Sequence, residues 1–190
     1  MLANSLNVTV FDQFPLLKSE RLFFRQFIDA DIVPFYTLRT HKDVLSYMDS
    51  SPLENLQASE NMIRENHTMF QNKQGISWAI TDAKQDLFMG YFLVWNINHT
   101  HARAEIGYAL LPEYWGKGFM KETFKIMLPF AFKALKLHRL EANINPENKR
   151  SERLLTASGF KKEGHFKEHY LFNGKFLDSV IYGLLEKNLD

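Results

Sequence analysis

The sequence predicts an α/β (α+β) domain: a mixed, mostly antiparallel twisted sheet of about seven strands with helices on both faces. Three observations carry this. Residues 76–81, 87–96 and 103–111 are rich in aromatic and branched side chains and are separated by short polar connections, which predicts three antiparallel strands in a row. After Gly118 the apolar residues Phe119, Thr123, Ile126, Phe130, Ala131 and Ala134 recur at helical spacing and mark a sheet-facing side. Near the end, Asn173-Gly174 between two apolar segments, 166–172 and 175–184, is a two-residue hairpin signal.

The remaining elements follow in chain order. Leu22-Phe23-Phe24-Arg25 reads as a short strand, and Asp29 or Asp31 then caps a helix to about Arg39. Ser51-Pro52-Leu53-Glu54 opens a second helix to about Asn72, and residues 82–86 form the turn between the first two strands of the antiparallel run. Pro129 removes one backbone hydrogen bond inside the helix after Gly118, so a bend is expected there. Lys117, Lys121 and Lys125 share another side of that helix, facing solvent. A strand over 140–144 precedes a helix opened by Asn148. In the last hairpin, pairing Phe172 with Lys175 sets His169 across from Asp178.

No repeat, low-complexity stretch or linker divides the 190 residues, so a single domain over 1–190 is expected. Seventeen Phe, seven Tyr and three Trp supply much of its core. Twenty-three basic against twenty-two acidic side chains leave a formal charge of +1, without the basic excess of a nucleic-acid binder. The first fifteen residues lack the pattern of a signal peptide, and the longest nearly apolar run, 87–95, is far short of a membrane span. A cytoplasmic protein without nucleic-acid or membrane partners is expected. The absence of cysteine excludes disulfides, thiolate metal sites and an acyl-cysteine intermediate, so any acyl transfer is direct.

The stretch Tyr114-Trp115-Gly116-Lys117-Gly118-Phe119-Met120 joins a strand to a helix. Its two glycines permit a tight turn with uncovered N–H groups, and the following helix adds its positive dipole end, which together make a nest for a diphosphate. Downstream come Asn145-Pro146-Glu147-Asn148-Lys149-Arg150-Ser151, then Arg153-Leu154-Leu155, and Ser158-Gly159-Phe160. The order strand, Gly-Lys-Gly helix, strand, Asn-x-x-Ser helix, Gly-Phe resembles the GNAT superfamily of acetyl-CoA-dependent N-acetyltransferases. Ser19-Glu20-Arg21-Leu22-Phe23-Phe24-Arg25, Ala104-Glu105-Ile106-Gly107-Tyr108 and Asn173-Gly174-Lys175-Phe176-Leu177-Asp178 are similar to its RimJ/RimL branch, which acetylates ribosomal-protein N-termini. The likeness runs from about Leu16 to Leu185; roughly the first fifteen residues lie outside it.

The resemblance implies a GNAT fold and acetyl-CoA as co-substrate, without a metal. Gly116, Lys117, Gly118, Phe119 and Met120 would hold the diphosphate, with Lys117 as an auxiliary charge. The family pattern falls on Trp115 to Met120 and both ends depart from it: Trp115 is frequent in the branch, whereas Met120 replaces a small residue and would crowd the helix entrance. Ala109, Leu110 and Leu111 would offer a backbone N–H to the oxyanion where the strand splays to admit the pantetheine arm. Asn148 would touch the pantetheine; on the residues alone it is a helix N-cap.

Alternation puts Glu105, Gly107 and Ala109 on one side of their strand and Ala104, Ile106 and Tyr108 on the other, so a carboxylate stands beside two minimal side chains. The resemblance gives Glu105 the role of base; the plainer alternative is an ion pair with a neighbouring basic residue. Glu105 lies about 13 Å along the strand from Ala109 and would reach an amine near the thioester through water. Neutralising a lysine amine at pH 7 costs about 4.6 kcal/mol and an α-amine about 1, so an N-terminal acceptor asks less of it. Where many family members carry a Tyr acid, seven residues after Asn148, this chain has Leu155; Ser151 is the candidate donor, or the thiolate takes its proton from water.

Lys149, Arg150 and Arg153 would meet the 3′-phosphate or simply face solvent. His99-x-His101 lacks a third ligand at metal spacing and reads as a solvated loop. The expected acceptor is a protein N-terminus, plausibly of a ribosomal protein, acted on by a monomer or homodimer. The alternatives are a small amine (polyamine, amino acid or aminoglycoside) and, in another class, an acyl-CoA sensor that does not turn over.

Overall fold

The computed structural model describes residues 6–189. Eight strands form one sheet: β1 (Leu17–Lys18), β2 (Leu22–Arg25), β3 (Ile76–Asp82), β4 (Phe88–Asn98), β5 (Arg103–Leu110), β6 (Arg139–Ile144), β7 (Lys161–Phe172) and β8 (Lys175–Leu185). Their spatial order is β1-β2-β3-β4-β5-β6-β8-β7. Every neighbouring pair is antiparallel except β5 with β6. Seven of these strands are the predicted ones. The eighth, the two-residue β1, is too short to show alternation, and β7 begins five residues before the predicted segment because Lys161 to His165 is polar throughout.

The helices are α1 (Ile32–Thr40), α2 (Lys42–Leu45), α3 (Leu56–Gln71), α4 (Phe119–Pro129) and α5 (Lys149–Ala157). Asp31 occupies the N-cap position of α1 but makes no side-chain capping bond there. Its carboxylate instead accepts the Ile28 N–H at 2.9 Å and takes Arg25 at 2.6 Å. The second predicted helix starts at Leu56 rather than near Ser51, because Asn55 is its cap, accepting the Ala58 N–H at 2.9 Å. At Pro129 the chain continues helically but with wider winding, as a π-helix over Phe130–Ala134. The missing proline N–H is absorbed by this change of pitch.

Two cores lie on opposite faces of the sheet. One joins Trp78, Phe92, Ile106 and Leu140 to Phe124, Met127, Leu128 and Phe132 of α4 and its extension, and to Leu155 of α5. The helix therefore buries a flank centred on Phe124 and Met127, while the predicted Phe119, Ile126 and Phe130 are half-buried at its border. Residues 6–15, outside the family resemblance, complete this face: Leu6 and Phe11 are in the core, the Asn7 N–H bonds the Leu135 carbonyl at 2.9 Å, and the Trp78 indole donates to the Pro15 carbonyl at 2.8 Å. The second core packs Phe35 and Leu38 of α1, Val44 of α2 and Ile63 of α3 on Ala79, Phe88, Tyr91 and Ala109. β5 thus contributes Ala104 and Ile106 to one face and Ala109 to the other, as the alternation predicts.

Candidate active site

β5 and β6 are paired only over Arg103–Glu105 with Arg139–Glu141; beyond that point β5 stays on β4 while β6 continues on β8. The strands form a fork. The Leu111 N–H bonds the Met89 carbonyl at 2.9 Å, so the alternation of an antiparallel ladder turns the N–H and C=O of Leu110 and Tyr108 away from β4, into the opening. Two devices hold it apart. Gly90 lets β4 meet β5 so closely that a Cβ there would lie 2.1 Å from the Ala109 carbonyl oxygen, and the Trp115 indole donates to the Leu110 carbonyl at 2.7 Å, occupying an acceptor that β6 would otherwise claim.

A cavity of about 720 Å³ runs through the fork. At one end is the loop before α4. Gly116 and Gly118 have φ of +72° and +79°; nothing stands within 4 Å of where a Gly116 Cβ would be, and only an Arg21 nitrogen, at 3.7 Å, approaches that of Gly118. Among the described residues no backbone acceptor takes the N–H groups of Gly116 to Met120. This is an open row of donors at a helix start, suited to an anion. Met120 packs partly into the core beside α4 while still lining the cavity, and the Lys117 side chain is exposed. Next to Gly116, Arg150 and Arg153 flank a second recess, and the Arg150 guanidinium lies 4.8 Å over the Trp115 ring.

Asn148 opens α5 as its N-cap, accepting the Ser151 N–H at 3.0 Å, which leaves its amide N–H₂ for the cavity it lines. Ser151 is buried, and its hydroxyl shares a 2.5 Å hydrogen bond with Tyr108. Tyr108 is enclosed by Phe92 and Phe124, and burial pushes its phenol well above the ordinary range, only partly offset by the Ser151 bond. Sequence reasoning passed over this pair. Leu155, at the position of the family tyrosine, is fully buried and lines neither this cavity nor the recess beside it.

At the other end stand the carboxylates. Glu105 accepts from the Asn96 amide at 2.7 Å and has no basic partner among the described residues, unlike the ion pair considered from sequence. Arg103 and Arg139 go instead to Glu141. The space beside Gly107 is partly filled from β4: a Cβ there would be 2.8 Å from Leu93 Cδ2. Asp49, just beyond α2, also lines the cavity; it accepts from Asn145 at 3.3 Å and from the Tyr170 hydroxyl, tying α2, the loop after β6 and the last hairpin together. The hairpin reaches Asp49 because β7 bulges between Phe166 and Tyr170. Asp178 fills that bulge, taking Lys167 Nζ and His165 Nε2 at 2.8 Å and the Glu168 N–H at 2.9 Å. His169 is thereby displaced from the expected pairing with Asp178 and stacks on Phe166.

The His99 ring N–H donates to the Lys73 carbonyl, 2.8 Å away, and the His101 N–H donates to the Asn98 side-chain oxygen at 2.9 Å. Among the described residues no three His, Asp or Glu side chains are grouped to hold a metal, and no helix is long and apolar enough to cross a membrane.

Known proteins share this arrangement. The family described as acetyltransferase (GNAT) domain matches residues 21–161, and an uncharacterized N-acetyltransferase of Bacillus subtilis, YoaA, is 31% identical over 173 residues, 91% of this chain and 98% of that protein. The chain belongs to the GNAT acetyltransferase family and is an N-acetyltransferase that uses acetyl-CoA. The spermidine N(1)-acetyltransferase of Vibrio cholerae is 27% identical over 163 residues, 85% of this chain and 91% of that protein. The ribosomal protein uS5-alanine N-acetyltransferase of Escherichia coli, a relative of the RimJ/RimL kind, is 37% identical over 79 residues, 42% of this chain and 41% of that enzyme. Among solved structures, spermidine N-acetyltransferase from Vibrio cholerae in complex with CoA and spermine superimposes with a TM-score of 0.78 at 24% identity, covering 90% of this chain and 98% of that one.

Proposed function

We propose that this acetyltransferase acts on a protein N-terminal α-amine, with the cavity's two ends dividing the work. The N–H groups of Gly116 to Met120 hold the CoA diphosphate, Arg150 and Arg153 the 3′-phosphate, and Asn148 the pantetheine arm. The amine nitrogen attacks the thioester carbonyl; its N–C bond forms as the C–S bond breaks, and the Leu110 N–H, in the opened side of β5, receives the charge on the oxygen. The nitrogen's proton passes through water to Glu105. Ser151, hydrogen-bonded to the protonated Tyr108, gives its proton to the leaving thiolate and takes one back from water in the cavity.

One observation carries the choice of acceptor. The mouth beside Glu105 is walled by Tyr47 and Trp95, 37% and 43% exposed, an open aromatic rim that a polypeptide would cover. A second reading has its own support. Of the partly buried carboxylates among the described residues, Asp49 and Glu105 are the two that lack a basic partner and are not spent on their own turn, and both line this cavity. A small polyamine, the acceptor class of the Vibrio cholerae relative, would satisfy both charges.

Acetyl-CoA-dependent thiol release against Ala- and Ser-starting peptides and against polyamines, with Glu105→Gln beside wild type, separates these. Peptide turnover that is lost or displaced to higher pH in Glu105→Gln supports the first reading. Turnover on polyamines alone replaces it with the second, and tight acetyl-CoA binding without turnover on either would make the protein a sensor.

A further inference from the structure

The motif Ser19-Glu20-Arg21-Leu22 lies far along the chain from the cofactor loop, yet its side chains end there. Glu122, in the first turn of α4, accepts from Ser19 Oγ at 2.7 Å and from Arg21 Nε at 2.7 Å, with Arg21 Nη2 at 2.6 Å. The remaining arm of Arg21 reaches the loop: Nη1 donates to the Lys117 carbonyl at 3.2 Å, and the guanidinium lies 4.4 Å over the Phe119 ring. Glu122 is held below the ordinary carboxylate range: its partial burial alone would raise it, but the Ser19 and Arg21 bonds outweigh that. Arg21 is thus braced on one side and committed to a loop carbonyl on the other.

The Lys117 carbonyl and the Gly118 N–H belong to one peptide unit. No peptide bond among the described residues is cis, and in a trans unit C=O and N–H point in opposite directions. A hydrogen bond that pins the carbonyl toward Arg21 therefore aims the Gly118 N–H the other way, where no backbone acceptor meets it. The peptide needs this restraint, because Gly118 on one side of it has no Cβ to limit its φ and Gly116 stands just before Lys117 on the other, so a free loop would turn the dipole over.

We propose that Arg21, braced by Glu122 and Ser19, is a positioning residue that fixes the direction of the Gly118 N–H and so pre-forms the diphosphate cradle. The proposal rests on the reading of residues 116–120 as that cradle. Arg21 acts through the peptide and not as a counter-ion: two of its nitrogens are engaged by Glu122, and a guanidinium serves several acceptors in fixed directions.

The test is competitive displacement by CoA, dephospho-CoA, which keeps the diphosphate, and 4′-phosphopantetheine, which lacks it. Arg21→Ala is expected to weaken CoA and dephospho-CoA alike by tenfold or more and to leave 4′-phosphopantetheine within twofold. Arg21→Lys, which preserves a charge for Glu122 but cannot span to the Lys117 carbonyl at the same time, should fold as wild type and keep most of the defect. Glu122→Ala should also weaken CoA. Loss of all three ligands together in Arg21→Ala and Arg21→Lys, a wild-type profile in Arg21→Lys, or tighter CoA binding in Glu122→Ala each overturns the proposal, the last by making Arg21 a counter-ion. A wild type that binds 4′-phosphopantetheine as tightly as dephospho-CoA would instead remove the cradle reading itself.

Discussion

Removing either hydroxyl of the Tyr108–Ser151 pair leaves the other without its partner in the wall of the cavity. Ser151 is 6% exposed and Tyr108 has Phe92 and Phe124 against its ring, so replacement water reaches either partner only from the cavity that both line. Leaving one buried hydroxyl unsatisfied costs about 1–3 kcal/mol. At about 2 kcal/mol, Tyr108→Phe and Ser151→Ala should each lower Tm by about 4–8 °C in a chain of this length. The double variant removes donor and acceptor together, so its loss should be close to that of one single variant, giving a coupling of about 1–2 kcal/mol. Turnover adds a second dimension. A thiol of pKa about 8.5 leaves readily, so the proton from Ser151 is worth only about ten- to a hundredfold in kcat, and Ser151→Ala should lose that without a change in the KM of acetyl-CoA. Thermal melts and steady-state kinetics on the four proteins suffice. Stability losses that add to within about 0.5 kcal/mol would show the hydroxyls to be independent, and an unchanged kcat in Ser151→Ala would end its candidacy as proton donor.

Further outcomes are expected elsewhere. Gly90→Ala sets a Cβ 2.1 Å from the Ala109 carbonyl oxygen; β5 must move toward β6, costing about 1–3 kcal/mol and weakening CoA binding, both read by a melt and a CoA titration. Asp178 is held far below the usual carboxylate range, first by Lys167, then by the Glu168 N–H and His165. Its contribution to the hairpin is therefore complete above the unfolded value near pH 3.9 and fades as pH falls below it; amide protection factors in β7, taken relative to the intrinsic exchange rate at each pH, should fall in acid, and Asp178→Asn should show the same loss of protection at pH 7. Tyr170 is pushed up by burial and then by Asp49, so it remains a donor throughout the physiological range. Asp49→Asn weakens the tie it makes and removes a cavity charge, and the acceptor KM should rise several-fold, about 1 kcal/mol, with that of acetyl-CoA unchanged; a rise in both would mean general loosening.

What could be read beforehand was whatever repeats locally. Short runs rich in aromatic and branched residues located seven strands, the Asn-Gly turn fixed the final hairpin, and paired glycines marked the donor row, because each is written in adjacent residues. The contacts that shape the cavity join residues far apart: Tyr108 to Ser151 over 43 positions, Arg21 to Lys117 over 96, and Asp49 to Tyr170 over 121. No period encodes them. The His169 to Asp178 pairing failed for a related reason, since register counted back from a turn is lost at the first bulge, and this bulge is stabilised by the aspartate itself. The start of β7 escaped because its side chains are polar; Glu163 there is held by Arg139 of β6, across β8.

The fork between β5 and β6 has a bearing on engineering. A sheet gains by closing, and here closure is withheld by a missing methyl at Gly90 and an indole lodged against the Leu110 carbonyl. A change at Trp115 that frees the Leu110 carbonyl and lets the two strands zip together would be rewarded in any screen for heat resistance alone while erasing the entrance for the thioester. Directed evolution of this chain toward robustness should therefore select on turnover in the same round, or leave residue 115 out of the library.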